Sequence, residues 1–202
     1  YTKVIGFSAV DTHENQNIRA RYTPDGRIEW LGPNCNVIDT TSVNFLNRWL
    51  LSEPDANGWV FKWLIDTYME GFDYITNYVF ADTISTRSLA ENLNKGHLYT
   101  DFKTLGDANG FNFFALSQSD EVAGIMGDSV KISEVKNLGV VAPLPGQYRL
   151  IHNGKVIQTS STDGYEFSFA GPFEPGSWRI EVHLNINGKY TPWIYSNPVY
   201  LY

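Results

Sequence analysis

A chain of 202 residues with 43% hydrophobic content has enough apolar side chains for one large or two small folded domains. Its net charge of −7 argues against nucleic acid as a partner, because nucleic-acid-binding domains concentrate basic residues on one face. No run of about 18 apolar residues occurs, so the sequence predicts no membrane span. Cys35 is the single cysteine and cannot form an internal disulfide, which leaves the compartment open between bacterial cytoplasm and periplasm.

The first predicted element is a strand over residues 4–10, which carry no charge and are rich in β-branched and small apolar side chains. Such a run is typical of a strand buried on both faces of a parallel sheet. Asp11 and His13 follow it, and residues two positions apart in extended backbone point the same way. Asp11 and His13 are therefore candidate metal ligands, and an ordinary surface turn after a strand is the alternative interpretation.

A β-hairpin is predicted next, because Pro-Asp-Gly at residues 24–26 supplies turn chemistry between two short alternating runs. Arg19 and Arg21 lie on one face of the first run. A guanidinium group matches the geometry of phosphate and carboxylate, so both arginines are candidates for binding an anionic substrate. The alternative is a solvated strand face, where charged side chains are common.

Helical spacing is predicted for the middle of the chain. Apolar side chains recur three and four residues apart in residues 41–50 and again in residues 59–69. A third helix is predicted to begin at Ser85 or Thr86 and to end at Gly96, which is well placed for a left-handed capping conformation. A strand is expected to follow over residues 98–102.

The helical period disappears at the turn cluster of residues 106–110, where we place a domain boundary that divides the chain into domains 1–105 and 106–202. Short strands separated by turns every eight to twelve residues or so predict an immunoglobulin-like β-sandwich for the second domain. The predicted strands are residues 111–117, 139–144, 147–152, 155–160, 165–170, 177–184 and 192–201.

Several segments together resemble the C-terminal portion of PHP-type metal-dependent phosphoesterases, most closely the CehA/McbA-like metallohydrolases with an appended β-sandwich. The resemblance extends over nearly the whole chain, and the closing Pro-Trp-Ile-Tyr-Ser-Asn-Pro is its most specific part. It is carried by Ala-Val-Asp-Thr-His at residues 9–13, LAENLNKGHLYTDF at 89–102, FNFFA at 111–115, Met-Gly-Asp at 126–128, and the ending from SWRIEVHLN to TPWIYSNPVYLY.

The resemblance implies an α+β fold, in which the C-terminal fragment of a PHP-type (β/α) barrel precedes the sandwich. It further implies that Asp11 and His13 are ligands of a divalent metal, Zn, Mn or Fe, in an enzyme that hydrolyses a small-molecule ester or phosphoester. The family's early His-x-His motif and its middle His and Glu ligands are absent here. The remaining ligands are therefore expected from the missing N-terminal part of a parent protein, and the isolated chain is expected to be inactive.

A non-catalytic binding module is the alternative function, with the sandwich contacting a glycan or a partner protein. Aromatic side chains cluster near the C-terminus, and an exposed row of them would form a stacking platform, whereas a buried row would be core. Burial is the more common arrangement for large aromatic side chains. The cluster consists of Tyr190, Trp193, Tyr195, Tyr200 and Tyr202.

Overall fold

The computed structural model describes residues 3–11, 16–65 and 67–202. The chain is 48% strand and 12% helix, with antiparallel sheets and no barrel among the described residues. It separates into two compact units. The hairpin unit is Val10–Phe72, and the sandwich unit consists of the described residues up to Ala9 together with Asp73–Tyr202. The fold is β-sandwich-like, so the prediction of an α+β fold with a barrel fragment is wrong.

The hairpin unit contains a four-stranded antiparallel sheet in the order β3-β2-β1-β4. A single turn of 3-10 helix and one short α-helix accompany the sheet. The elements are β1 (Gln16–Tyr22), β2 (Ile28–Leu31), β3 (Val37–Thr41), the 3-10 turn Arg48–Leu50, β4 (Trp59–Ile65) and α1 (Tyr68–Gly71).

The β1–β2 hairpin confirms the turn prediction. Tyr22 pairs with Ile28 across it, and Gly26 has φ +81°, a conformation that glycine adopts without a steric penalty. The helix predicted over residues 59–69 is wrong, because residues 59–65 form β4 and pair with β1. Val60 is fully buried with Ala20 and Ile28 in a small core. Pairing of this segment with β1 therefore buries its apolar side chain. The helix predicted over residues 41–50 is reduced to the 3-10 turn.

The sandwich unit contains the remaining strands, one longer helix and two 3-10 turns, Lys103–Leu105 and Ile132–Glu134. The hydrogen-bonded path runs β5-β6-β14-β13-β10-β7-β8, while β11 and β12 pair with β10, and β15 pairs with β13 and in parallel with β9. The elements are β5 (Thr76–Val79), α2 (Thr86–Lys95), β6 (Leu98–Asp101), β7 (Asn112–Ser117), β8 (Val122–Ile125), β9 (Ser129–Val130), β10 (Val135–His152), β11 (Lys155–Thr159), β12 (Gly164–Ala170), β13 (Gly176–Ile186), β14 (Lys189–Ser196) and β15 (Val199–Leu201).

Strand β10 belongs to both halves of this sheet system. Its first part pairs with β7 and β12, and its second part pairs with β11 and β13. The sequence predicts two separate strands here, residues 139–144 and 147–152, and Pro143 and Pro145 lie near the point where the first would end. The register to β12 shifts between Val141 and Gly146, so the prolines sit where ladder pairing is interrupted, and the strand continues through them.

The core of the sandwich unit is dense and aromatic. Trp193, Tyr148 and Phe113 are completely buried. Along β13, four apolar residues at alternating positions are buried, as is typical of a strand with one face in the core. Burying one such large apolar side chain stabilises a fold by about 1.5–3 kcal/mol. The inward-facing residues of β13 are Trp178, Ile180, Val182 and Leu184.

Helix α2 confirms the predicted caps. The Ser85 hydroxyl accepts a hydrogen bond from the Ser88 amide, and Gly96 adopts the left-handed conformation at φ +82°. Strand β6 follows as predicted, and it pairs with β14 on one side and β5 on the other. The division into domains 1–105 and 106–202 stays a prediction, although this pairing joins strands from both sides of that boundary. No helix in the described ranges is long and apolar enough to cross a bilayer.

The predicted buried strand over residues 4–10 is wrong. Residues 3–11 have no strand assignment, and Val4 and Phe7 each expose 73% of their surface. An uncharged run of β-branched and small residues predicts extended backbone, but extended backbone needs neither a neighbouring strand nor burial. In this structure, side chains of the sandwich unit form hydrogen bonds with the backbone of this segment, as a neighbouring strand would.

Candidate functional site

The predicted metal pair is only partly within the described residues. Asp11 is exposed and lies in irregular backbone within the hairpin unit, and His13 lies outside the described residues. Over residues 3–11, 16–65 and 67–202, no group of three or more His, Cys, Asp or Glu side chains could hold a metal ion. The pairing of Asp11 with His13 therefore stays a prediction.

The two candidate arginines lie on β1 and have neighbours within the hairpin unit. Arg21 forms an ion pair with Glu29 across the hairpin, with Nε and Nη2 at 2.7 and 2.6 Å from Oε2. The Arg19 guanidinium lies over the Trp59 ring at 5.8 Å, and its Nη1 is 3.8 Å from Cys35 Sγ. Glu29 thus balances the charge of Arg21, so an anionic substrate would have to compete with this carboxylate.

The other histidines have structural roles. Both ring nitrogens of His97 lie 2.9 Å from an oxygen, one from Asn92 Oδ1 and the other from Asp128 Oδ1. His152 stacks on Trp178, with the ring centroids 4.2 Å apart. His183 on β13 is 3% exposed, and this burial lowers its pKa.

Sequence reasoning missed an arrangement around the segment of residues 3–8, which we call the arm. Asn197, in the turn between β14 and β15, binds the arm at Gly6. The Gly6 amide donates to Asn197 Oδ1 at 2.8 Å, and Asn197 Nδ2 donates to the Gly6 carbonyl at 2.8 Å. Asn197 Nδ2 also donates to the Leu98 carbonyl at 3.1 Å, which fixes which end of the amide faces each arm group.

Asn77 on β5 repeats this geometry at Ser8. The Ser8 amide donates to Asn77 Oδ1 at 3.0 Å, and Asn77 Nδ2 donates to the Ser8 carbonyl at 2.7 Å. The Thr100 hydroxyl on β6 donates to the same Asn77 Oδ1 at 2.8 Å. A second core-side hydrogen bond therefore orients the second amide.

Tyr200 on β15 completes the set at Val4. Its hydroxyl accepts from the Val4 amide at 3.0 Å and donates to the Val4 carbonyl at 2.8 Å. Lys3 lies over the same ring at 5.4 Å, and its Nζ donates to the Gly127 carbonyl at 2.6 Å. We call Asn77, Asn197 and Tyr200 the clamp.

Two cavities flank the arm where it crosses the clamp. One has a volume of about 410 Å³ and is lined by Val4, Gly6, Arg179 and Tyr200 among others. The other has a volume of about 310 Å³ and is lined by arm residues and by aromatic side chains of the sandwich, including Phe102 and Tyr195. The arm therefore lies along a groove that has free space beside it. The sequence signal that could have suggested this site is the Asn-Pro pair that interrupts the C-terminal strand run.

A separate aromatic cavity of about 320 Å³ lies beside β5 and β6. Tyr78 and Tyr99 stack there with centroids 4.9 Å apart and an interplanar angle of 4°. The Tyr78 hydroxyl donates to Asp107 Oδ1 at 2.6 Å, and this hydrogen bond is the largest cause that lowers the pKa of Asp107. Burial raises the pKa of the Tyr78 phenol, which therefore keeps its proton as the donor.

The C-terminal aromatic cluster does not form an exposed row. Trp193 is fully buried and its indole N–H donates to the Gly106 carbonyl at 2.9 Å. Tyr190, Tyr195 and Tyr200 are half-buried, and only Tyr202, 58% exposed, faces largely into solvent. The cluster is therefore mainly packing surface.

No family model, curated protein or solved structure matches this chain. The resemblance to PHP-type hydrolases consequently stays an expectation from motifs in the sequence.

Proposed function

We propose that this chain forms part of a metal-dependent hydrolase acting on phosphoester or related ester bonds, to which it supplies Asp11 and His13 as metal ligands. The observation that carries the proposal is the Asp-Thr-His sequence at residues 11–13. Mixed oxygen and nitrogen ligation suits Zn²⁺, Mn²⁺ or Fe²⁺, ions that activate water and polarise an ester oxygen. The proposal does not require the barrel fragment that the structure excludes.

The described residues alone do not fit a complete catalytic metal site, which usually needs three protein ligands and an open position. Further ligands would have to come from other polypeptide. The apolar surface of the hairpin unit supports such a partner, because exposed apolar patches of this kind usually mark contact surfaces. Its most exposed large side chains are Phe45 at 84%, Trp49 at 77%, Met69 at 74% and Phe72 at 69%.

The proposal is tested first on the 202-residue chain. Two ligands hold a catalytic ion poorly, so we expect calorimetric titration with Zn²⁺ or Mn²⁺ to show weak binding or none. We also expect no hydrolysis of bis(p-nitrophenyl) phosphate. Tight stoichiometric binding by this chain would contradict the expected need for outside ligands.

The decisive measurement uses the longest natural polypeptide that contains Asp11 and His13. Asp11→Ala and His13→Ala should each lower its bound metal and reduce phosphodiester hydrolysis by about a hundredfold or more, since each removes a direct ligand. Asp82→Ala is the matched control, because Asp82 is an exposed carboxylate in the sandwich unit and should leave both quantities unchanged. Full metal content in both ligand variants would refute the proposal.

A glycan-binding module is the second candidate, favoured by the aromatic cavity at Tyr78. Sugar rings stack on aromatic faces, and Asn109 and Asn112 on the cavity wall offer amide groups to hydroxyls. A glycan array probed with the intact chain should give saturable signals that Tyr78→Ala removes and Tyr74→Ala leaves unchanged. An array without any such signal would remove this candidate.

A further inference from the structure

The clamp contacts the arm as a neighbouring β-strand would. In extended backbone, the N–H and C=O of one residue lie on the same edge, and those of the next residue lie on the opposite edge. The clamp binds both groups of every second residue, which is the pattern of a strand ladder made by side chains. The pairs are Val4 with Tyr200, Gly6 with Asn197, and Ser8 with Asn77.

We infer that the clamp is a binding site for an extended polypeptide backbone, occupied intramolecularly by the arm, which accepts an extended peptide of a partner protein in exchange. The inference goes beyond the proposed hydrolase function and does not depend on it. The strongest argument for this kind of ligand is that the structure contains one, seated on the clamp through six main-chain hydrogen bonds. A peptide from another chain can form the same bonds.

The site tolerates different side chains at the arm positions of Val4, Gly6 and Phe7. Val4 and Phe7 are each 73% exposed, so their identity contributes little to the contact. A Cβ atom added at Gly6 would lie 3.6 Å from Asn197 Oδ1, an ordinary van der Waals distance. The site therefore selects its ligand by backbone conformation, as in binding modes that add a strand to a sheet edge.

Two arm side chains also contact the sandwich unit and so give the site a preference for certain peptide sequences. Lys3 Nζ donates to the Gly127 carbonyl at 2.6 Å, and the Ser8 hydroxyl lies 3.2 Å from Asn77 Oδ1. A lysine five positions before a serine matches both contacts. Proline is unsuitable at the positions of Val4, Gly6 and Ser8, because each of these residues donates its N–H to the clamp.

The clamp is already organised before any ligand arrives. The Leu98 carbonyl and the Thr100 hydroxyl orient the two amides from within the sandwich unit. Neither of these two hydrogen bonds involves the arm, so both amides keep an orienting partner when the arm leaves. In the described part of the chain, the backbone groups of Ile5 and Phe7 have no hydrogen-bond partner, so the arm is held along one edge only. A ligand held along one edge can exchange without unfolding the sheet.

The test uses labelled peptides with the sequence of residues 3–9 and fluorescence anisotropy. In the full chain, Gly6→Pro with Ser8→Pro removes two arm donors and leaves the clamp intact. We expect this double variant to bind the peptide at least about tenfold more tightly than the wild type, because the resident arm competes less.

Backbone methylation of the peptide supplies the control. N-methylation at the nitrogens of the Gly6 and Ser8 equivalents should weaken binding at least about tenfold, since it removes donors that the clamp requires. N-methylation at the Ile5 and Phe7 equivalents should change binding less than about threefold, because those N–H groups face away from the clamp. Equal binding by both methylated peptides would overturn the inference.

A matched pair of protein variants tests the clamp itself. Tyr200→Phe removes one clamp hydroxyl and should weaken peptide binding, whereas Tyr202→Phe, at a largely exposed tyrosine, should not. If the double proline variant does not fold, the same peptides are titrated into the wild-type chain, where lack of saturable binding overturns the inference. A wild-type dimer that added peptide dissociates would identify the occupant as the arm of a second copy, which would refute the choice of a partner protein.

Discussion

The two units of this chain use large apolar side chains in opposite ways. The sandwich unit buries Trp193, Tyr148 and Phe113 completely, whereas the hairpin unit buries smaller apolar side chains, namely Ala20, Ile28, Leu31 and Val60. The hairpin unit instead exposes tryptophan and phenylalanine. A high apolar fraction in the sequence is therefore compatible with a core or with a contact surface. Only the packing of the side chains shows which of the two each unit has.

The largest expected effect comes from replacing one tryptophan in each unit by alanine, because one of the two is buried and the other is exposed. Trp193→Ala should lower the free energy of unfolding by about 3–5 kcal/mol, because it leaves a cavity and removes the hydrogen bond to Gly106. Trp49→Ala, at a residue 77% exposed, should change it by less than about 0.5 kcal/mol. Urea denaturation followed by circular dichroism measures both, and similar losses would mean that Trp49 is buried in solution.

A glycine pair tests whether local turns contribute equally in both units. Gly26 and Gly154 lie in hairpin turns at φ +81° and +83°, with open space around the position of an added Cβ. Gly26→Ala and Gly154→Ala should each cost about 1 kcal/mol through backbone strain alone. Hydrogen exchange assigns each loss to its unit. A much smaller cost at Gly26 would show that the hairpin unit relaxes where the sandwich unit does not.

The pH dependence of stability provides a third test of the sandwich unit, because burial shifts the pKa of its ionisable groups. Burial lowers the pKa of His183, so the unfolded chain takes up a proton first as pH falls through the usual value near 6.5. The free energy of unfolding should therefore fall below about pH 6.5, and His183→Gln should flatten that part of the profile. Urea midpoints across this range provide the measurement. A profile of His183→Gln that kept the wild-type slope below pH 6.5 would contradict this prediction.

The smallest expected effect has opposite signs in the two units. Burial raises the pKa of Asp101 in the sandwich unit, so its charged form disfavours folding, and Asp101→Asn should raise the urea midpoint at neutral pH. That gain should shrink as pH falls through the raised pKa. Backbone N–H groups of Trp59 and Asn57 lower the pKa of Asp55 in the hairpin unit. Asp55→Asn should therefore lower the midpoint slightly at neutral pH, and this loss should vanish in acid.

Elements with a local cause were predictable from the sequence. The Pro-Asp-Gly turn, the Ser85 cap and the Gly96 left-handed residue depend on side chains within a few positions of each other. Strand β4 was missed because Trp59, Val60 and Phe61 belong to an apolar segment that satisfies both a helical and a strand period. The pairing partner of the segment, β1, lies about forty residues earlier and decides between the two.

Of the two candidate sites, only the metal site was predictable from the sequence, because its residues form a short motif. The Asp-Thr-His sequence suggested metal chemistry at once, but it does not reveal which other groups surround it. The clamp was invisible because Asn77 and Asn197 are 120 positions apart and resemble ordinary polar surface residues. Their role follows from the shared contact with the arm.

The sequence alone determined the Pro-Asp-Gly hairpin turn, the capped helix and the extended character of residues 3–8. These features depend on backbone preferences and on side-chain spacing within one segment. The tertiary structure decided that β10 spans both parts of the sandwich, that residues 59–65 form a strand, and that the arm is bound by side chains. Hydrogen-bond partners separated by up to 196 positions decide such questions, and no local pattern specifies them.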